Sequence, residues 1–183
     1  MNAEDTPSLQ RLRQLVRDKA LIRGSFRLAS GQISDHYFDC KRVTLDPEGA
    51  YWSAEAILDL IEREGLDVRA IGGPTIGADP IAAAVAVRSR ERGRPLPAFL
   101  VRDRAKDHGT GRMLENAPPK GTPVIVVEDV VTTGNSTLQA IRTCEEGGLR
   151  VAAVICLVDR EQGGAEALAK YRFLPLCRRT ELL

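Results

Sequence analysis

The run Val124-Ile125-Val126-Val127-Glu128-Asp129-Val130-Val131-Thr132-Thr133-Gly134-Asn135-Ser136-Thr137 constrains the fold more than any other part of the chain. Its opening β-branched residues suit a buried parallel strand, and residues 136–146 carry helical spacing closed by Gly147-Gly148. The order is therefore strand, loop, helix. The loop is rich in hydroxyls, contains a glycine and feeds a helix N-terminus, where free backbone N–H groups and the dipole favour a phosphate. Neither a dinucleotide nor a Walker-type site fits, because there is no G-x-G-x-x-G and no G-K-[ST].

The distinguishing feature is the acidic pair Glu128-Asp129 at the carboxyl end of the strand. Two carboxylates beside a phosphate site repel the ligand unless they accept hydrogen bonds from its hydroxyls, hold a metal or stabilise a developing cation. A sugar phosphate with a vicinal diol meets that condition. The plain alternative is a doubly wound sheet whose strand ends in polar residues, with Ser136 as an ordinary N-cap. The whole run resembles the phosphoribosyl-diphosphate (PRPP) signature of type I phosphoribosyltransferases: apolar strand, two acids, two apolar residues, T-T-G-x-[ST]. By that resemblance Glu128 and Asp129 hold the ribose 2′- and 3′-hydroxyls. Thr132, Thr133, Gly134, Asn135 and Ser136, led in by Val130 and Val131, hold the 5′-phosphate, with Thr132 also bordering the base.

At 183 residues and 43% hydrophobic content, the chain suits one domain with a full core. A net charge of +1 gives no global basic field for nucleic acid. Cys40, Cys144, Cys156 and Cys177 form no C-x-x-C and no secreted framework, which points to a reducing, cytoplasmic setting. Asn2, Glu4 and Asp5 do not open a signal peptide. The apolar runs 80–87 and 151–158 fall far short of the ~20 residues of a membrane helix.

Along the chain, Leu9, Leu12, Leu15 and Val16 predict an amphipathic helix. Residues 24–40 alternate weakly, as a strand or hairpin. Read on their own, they either cap one end of a sheet or touch a ligand. Within them F-x-L-x-S-G-x-x-S-x-x-Y-x-D resembles the N-terminal signature of orotate phosphoribosyltransferases, in which this segment is part of a hood and its aromatic pair, Tyr37-Phe38, lies against the base. Ala29 stands where many bacterial relatives carry lysine.

A helix is expected over 50–64, then a strand over 68–71 and a Gly-rich turn, 72–80. That turn leads into an alanine-rich helix with Asp79 as N-cap and Pro80 at N1. It is a second strand–loop–helix junction and a second candidate anion site. It resembles the family's pyrophosphate loop, with Ile76-Gly77 where other members have Tyr-Lys.

A strand over 97–101 runs into 102–112, whose five potential cations and two glycines cannot pack as core and read as a long mobile loop, either merely solvated or closing over a polyanion. V-R-x-x-A-K-x-H-G resembles the family's catalytic loop, matched by Arg102, Lys106 and His108 but with Asp103 in place of a lysine.

The central strand and its helix lead to a strand over 151–158, then D-R-x-x-G-G, a short helix and a last strand near 173–176. Arg160 is a solvated turn residue or, by resemblance, the partner of the orotate carboxylate, which a bidentate guanidinium fork suits.

The expected fold is α/β, a mostly parallel twisted sheet with helices on both faces and a small N-terminal hood. The expected organisation is a single domain over 1–183, with a hood of about 1–45 plus the C-terminal segment and a core of about 46–170. The resemblance implies transfer of the phosphoribosyl group of PRPP to orotate in pyrimidine synthesis. It implies Lys106, His108, Glu128 and Asp129 as catalytic, Arg102 with the loop and acids on PRPP, and Tyr37, Phe38, Thr132 and Arg160 on orotate. It also implies Mg²⁺ carried by PRPP without a firm protein ligand, and a homodimer sharing the 102–112 loop. A purine or uracil phosphoribosyltransferase would have no need of Arg160 or the hood signature. A non-enzymatic regulator would keep the cradle and lose loop cations.

Overall fold

The computed structural model describes residues 5–27, 33–103 and 113–183. Helix α1 (Pro7–Leu15) ends in a wide π turn, Val16–Ala20, and leads to an antiparallel hairpin, β1 (Leu21–Arg27) and β2 (Ile33–Phe38). The hairpin is a sheet of its own, and the short α2 (Lys41–Thr44) follows it. Helix α3 (Pro47–Arg63) begins where Asp46 accepts the Gly49 N–H at 3.0 Å with Pro47 in the first turn, and Gly65 at φ 60° closes it.

Next come β3 (Ala70–Pro74), α4 (Ala78–Glu91), β4 (Ala98–Val101), β5 (Leu114–Glu115), β6 (Pro123–Val131), α5 (Asn135–Glu146), β7 (Arg150–Asp159), α6 (Gly164–Ala167), β8 (Phe173–Arg178) and α7 (Arg179–Leu182). The six-stranded sheet runs β5-β4-β3-β6-β7-β8, parallel throughout except for the two-residue edge strand β5. Alternation along β6 sorts the core. Ile125 and Val127 pack with α1, α3 and α4 on one face, whereas Val124 and Val126 pack with Ala140, Ile141 and Cys144 of α5 on the other. Helices thus cover both faces of a mostly parallel sheet, as the strand pattern predicted.

Three helix starts differ from expectation, the first being α3, which begins at Pro47 instead of residue 50. Asp79 is not the cap of α4: the helix begins at Ala78 and Asp79 lies in its first turn. Helix α5 begins at Asn135, entered through Gly134 at φ 80°, a left-handed conformation that glycine adopts without strain. Ser136 is therefore inside the first turn, and its hydroxyl is turned to another partner.

Candidate functional site

The two-residue period that sorts the core also splits the acidic pair. Glu128 falls on the α5 face, where its Oε2 accepts from Ser136 Oγ at 3.2 Å and Thr137 Oγ1 at 3.4 Å. Burial, and then the neighbouring Asp129, push its carboxyl up to about 8. Asp129 falls on the opposite face, toward the hood. Its Oδ1 accepts the Val130 N–H at 2.8 Å, and its Oδ2 lies 3.8 Å from Lys41 Nζ at the start of α2.

Gly77, in the turn after β3, closes over both acids. A Cβ there would stand 2.5 Å from Asp129 Oδ1 and 3.1 Å from Glu128 Oε1. The two candidate anion loops, 72–80 and 132–136, therefore meet at one acidic pair at the carboxyl end of β3 and β6, where open parallel sheets bind ligands. The second loop is packed from the other side, because a Cβ on Gly164 would lie 2.9 Å from the Thr132 carbonyl oxygen. Thr133, Asn135 and Ser136 remain exposed at the helix N-terminus.

Arg160 follows the end of β7, the strand beside β6, and is only 4% exposed. Its Nε and Nη2 have no hydrogen-bond partner among the described residues. Burial lowers its pKa, and the nearby Tyr37 hydroxyl opposes that shift. A desolvated guanidinium with idle donors is costly until an anion supplies acceptors, and a planar carboxylate matches its fork. The loop carrying it is held on both sides: Asp159 Oδ1 accepts the Glu161 N–H at 2.8 Å, and the Glu161 carboxylate accepts the Thr180 N–H at 2.9 Å and its hydroxyl at 3.1 Å.

The aromatic pair does not act together. Tyr37 and Phe38 are adjacent in β2 and so face opposite ways. Tyr37 is half-exposed against Phe26, with ring centroids 5.7 Å apart, and lies within electrostatic reach of Arg160, whereas Phe38 is buried in the core beside His36. Of the two rings expected on the base, Tyr37 is on the accessible face and Phe38 is in the core.

Arg102 pairs with Glu115 of β5 at 3.2 Å. Lys106 and His108 lie outside the described residues. Asp103 faces Asp79, whose carboxyl is pushed up first by burial and then by that acid. Among the described residues no group of three or more His, Cys, Asp or Glu could hold a metal ion, and no helix is long and apolar enough to cross a membrane.

Sequence reading missed Lys41 and the close approach of Gly77. The spacing of Lys41, two residues after Asp39 in the hood signature, was the available signal for the first. Nothing in the sequence announces the second, which depends on where two loops cross.

A family model described as phosphoribosyl transferase domain matches residues 54–180, which include both anion loops, the acidic pair and Arg160. Over 176 residues the chain is 43% identical to an orotate phosphoribosyltransferase of Tropheryma whipplei (strain Twist), covering 95% of this chain and 82% of that protein. The chain belongs to the orotate phosphoribosyltransferase family. The Mycobacterium tuberculosis H37Rv orotate phosphoribosyltransferase superposes with a TM-score of 0.83 at 36% identity, covering 96% of this chain and 99% of the other. A second structure of that enzyme, in complex with 5-phospho-alpha-D-ribosyl 1-diphosphate, gives 0.79 at 32% identity over 96% of this chain and 99% of the other.

Proposed function

We propose that the chain transfers the 5-phosphoribosyl group of PRPP to orotate, giving orotidine 5′-monophosphate and diphosphate, in the synthesis of UMP. The observation that carries the choice of base is the buried Arg160 guanidinium with idle donors, one strand away from the acidic pair. Loop 132–136 would hold the 5′-phosphate on its N–H groups and hydroxyls, and the acids would accept the ribose hydroxyls. Orotate N1 then bonds to C1′ as the C1′–oxygen bond to diphosphate breaks, through a state with oxocarbenium character. The Asp129 carboxylate would face that developing cation. Arg102, Lys106 and His108 would receive the charge of the departing diphosphate.

A divalent cation, proposed as Mg²⁺, fits as a passenger of the substrate: the described residues offer two acids and no third ligand, so its oxygens would come from the diphosphate and the ribose diol that the acids orient. When bound it neutralises charge on the leaving group.

The hood, about 1–45 with the C-terminal segment, would cover the base over a core of about 46–170. Two chains would form a homodimer in which loop 102–112 serves the partner's site. Mixing Lys106→Ala chains with Asp129→Asn chains tests this, because shared loops restore one intact site per heterodimer, whereas activity no higher than either parent argues against sharing. The setting proposed is the cytoplasm, where the four buried free thiols stay reduced.

The test of the reaction is incubation with PRPP, Mg²⁺ and each of orotate, uracil, hypoxanthine and adenine. Consumption of orotate alone is expected. Consumption of a purine or uracil instead would overturn the reading, and PRPP binding with no base consumed would point to a regulator.

A further inference from the structure

The Asp129 carboxylate is addressed differently at its two oxygens. Oδ1 is already engaged by the Val130 N–H and is crowded by Gly77, so Oδ2 is the oxygen left for a ligand. Beside Oδ2 stands Lys41 Nζ at 3.8 Å, with Asp39 Oδ1 a further neighbour at 3.9 Å. Both separations exceed hydrogen-bond length, so the ammonium is close enough to be attracted but makes no direct bond to either acid. Three N–H donors on a half-exposed side chain are thus poised at the rim of the acidic pair. The four-residue α2 is a single turn with no side-chain cap from Cys40, so its dipole accounts for little of this placement.

We propose that Lys41 is a further ribose-binding residue, contributed by the segment that follows the hood hairpin, and that it donates to the same sugar hydroxyl that Asp129 Oδ2 accepts from. The proposal rests on the assignment of the ribose to the acidic pair. A hydroxyl is both donor and acceptor, so one placed between Nζ and Oδ2 satisfies both groups and replaces a long ion pair with two charge-assisted hydrogen bonds. An ordinary surface ion pair would contribute little and discriminate nothing. The bridging arrangement instead ties recognition of the sugar to the strand end that carries Tyr37, so a correctly seated ribose also fixes the hood against the base.

The test compares Lys41→Met, Lys41→Arg and Asp129→Ala in the full chain by calorimetric binding of two probes, ribose 5-phosphate and inorganic phosphate. Lys41→Met should weaken ribose 5-phosphate about five- to twentyfold and leave phosphate, held by loop 132–136, within about twofold, while Lys41→Arg should recover most of the loss. In turnover, Lys41→Met should raise the KM for PRPP more than it lowers kcat. Equal weakening of both probes would make Lys41 a general electrostatic or structural residue and overturn the proposal. So would unchanged ribose 5-phosphate binding by Lys41→Met when Asp129→Ala loses it. If Asp129→Ala also binds ribose 5-phosphate normally, the acidic pair is not the ribose site and the underlying assignment fails with it.

Discussion

Glu128 in β6 and Arg160 just past the end of the neighbouring β7 are buried to nearly the same degree, 5% and 4% exposed, yet their environments are opposites. Glu128 has two hydroxyls and a backbone N–H directed at it, and it is held near neutrality by burial and by Asp129. Two nitrogens of the Arg160 guanidinium find nothing among the described residues. In the proposed reaction the sugar-phosphate half would thus be largely satisfied by the protein itself, whereas the base half would be built around a charge whose partner arrives with the ligand. A buried donor without an acceptor destabilises the free protein and becomes specificity when an acceptor of the right shape binds.

The largest effect that would sharpen this contrast is on the side of the sugar. Asp129→Asn keeps the shape and removes the charge, so kcat should fall by about a hundredfold or more, with PRPP affinity falling much less. Equal losses in binding and turnover would mean that the charge acts on the ground state alone.

Next in size is Gly77→Ala. Its methyl group would be forced to 2.5 Å from Asp129 Oδ1, so the turn over the acids must shift. The KM for PRPP should rise about tenfold or more, with orotate binding little changed. A wild-type KM would show that the two loops do not form one cradle.

The smallest effect is on stability. Glu128 keeps its proton in the fold up to about pH 8, whereas an unfolded carboxyl releases it near 4.5. Across that window the folded chain holds the extra proton, so stability falls as pH rises, and the penalty is complete above the upper value. Glu128→Gln lacks this slope. The ligand-free variant should therefore melt several degrees above wild type at pH 8.5 and close to it at pH 5. Parallel curves would show that Glu128 ionises freely.

The same contrast governs what the sequence discloses. The acids and the 132–136 loop of the proposed sugar-phosphate half lie in one continuous stretch, from Val124 to Thr137, in which β-branched residues, two acids, a glycine and hydroxyls follow one another. The base half draws Tyr37 from β2, Arg160 from the end of β7 and its support from Thr180 in α7, and no local pattern tells which of these meet. The split of Tyr37 from Phe38 needs only the period of a strand, yet which ring faces inward depends on how the hairpin docks. Helix starts were misplaced for a related reason. Asp79 has the chemistry of a cap, but the chain already enters α4 from Gly77, which leaves Asp79 in the first turn. The two-residue strand β5 is too short to leave a periodic signal at all.

Arg160 offers the most direct test of the central claim, that the base half is defined by a cation awaiting a carboxylate. A charge-assisted bidentate pair contributes ~1.5–3 kcal/mol, so Arg160→Ala should cut kcat/KM for orotate roughly ten- to more than a hundredfold, and Arg160→Lys should recover only part. PRPP affinity should be retained. In binding of the free bases to the enzyme, uracil, which lacks the carboxylate, should show almost no difference between wild type and Arg160→Ala, whereas orotate should show a large one. An equal penalty with both bases would contradict the account and make Arg160 a structural residue.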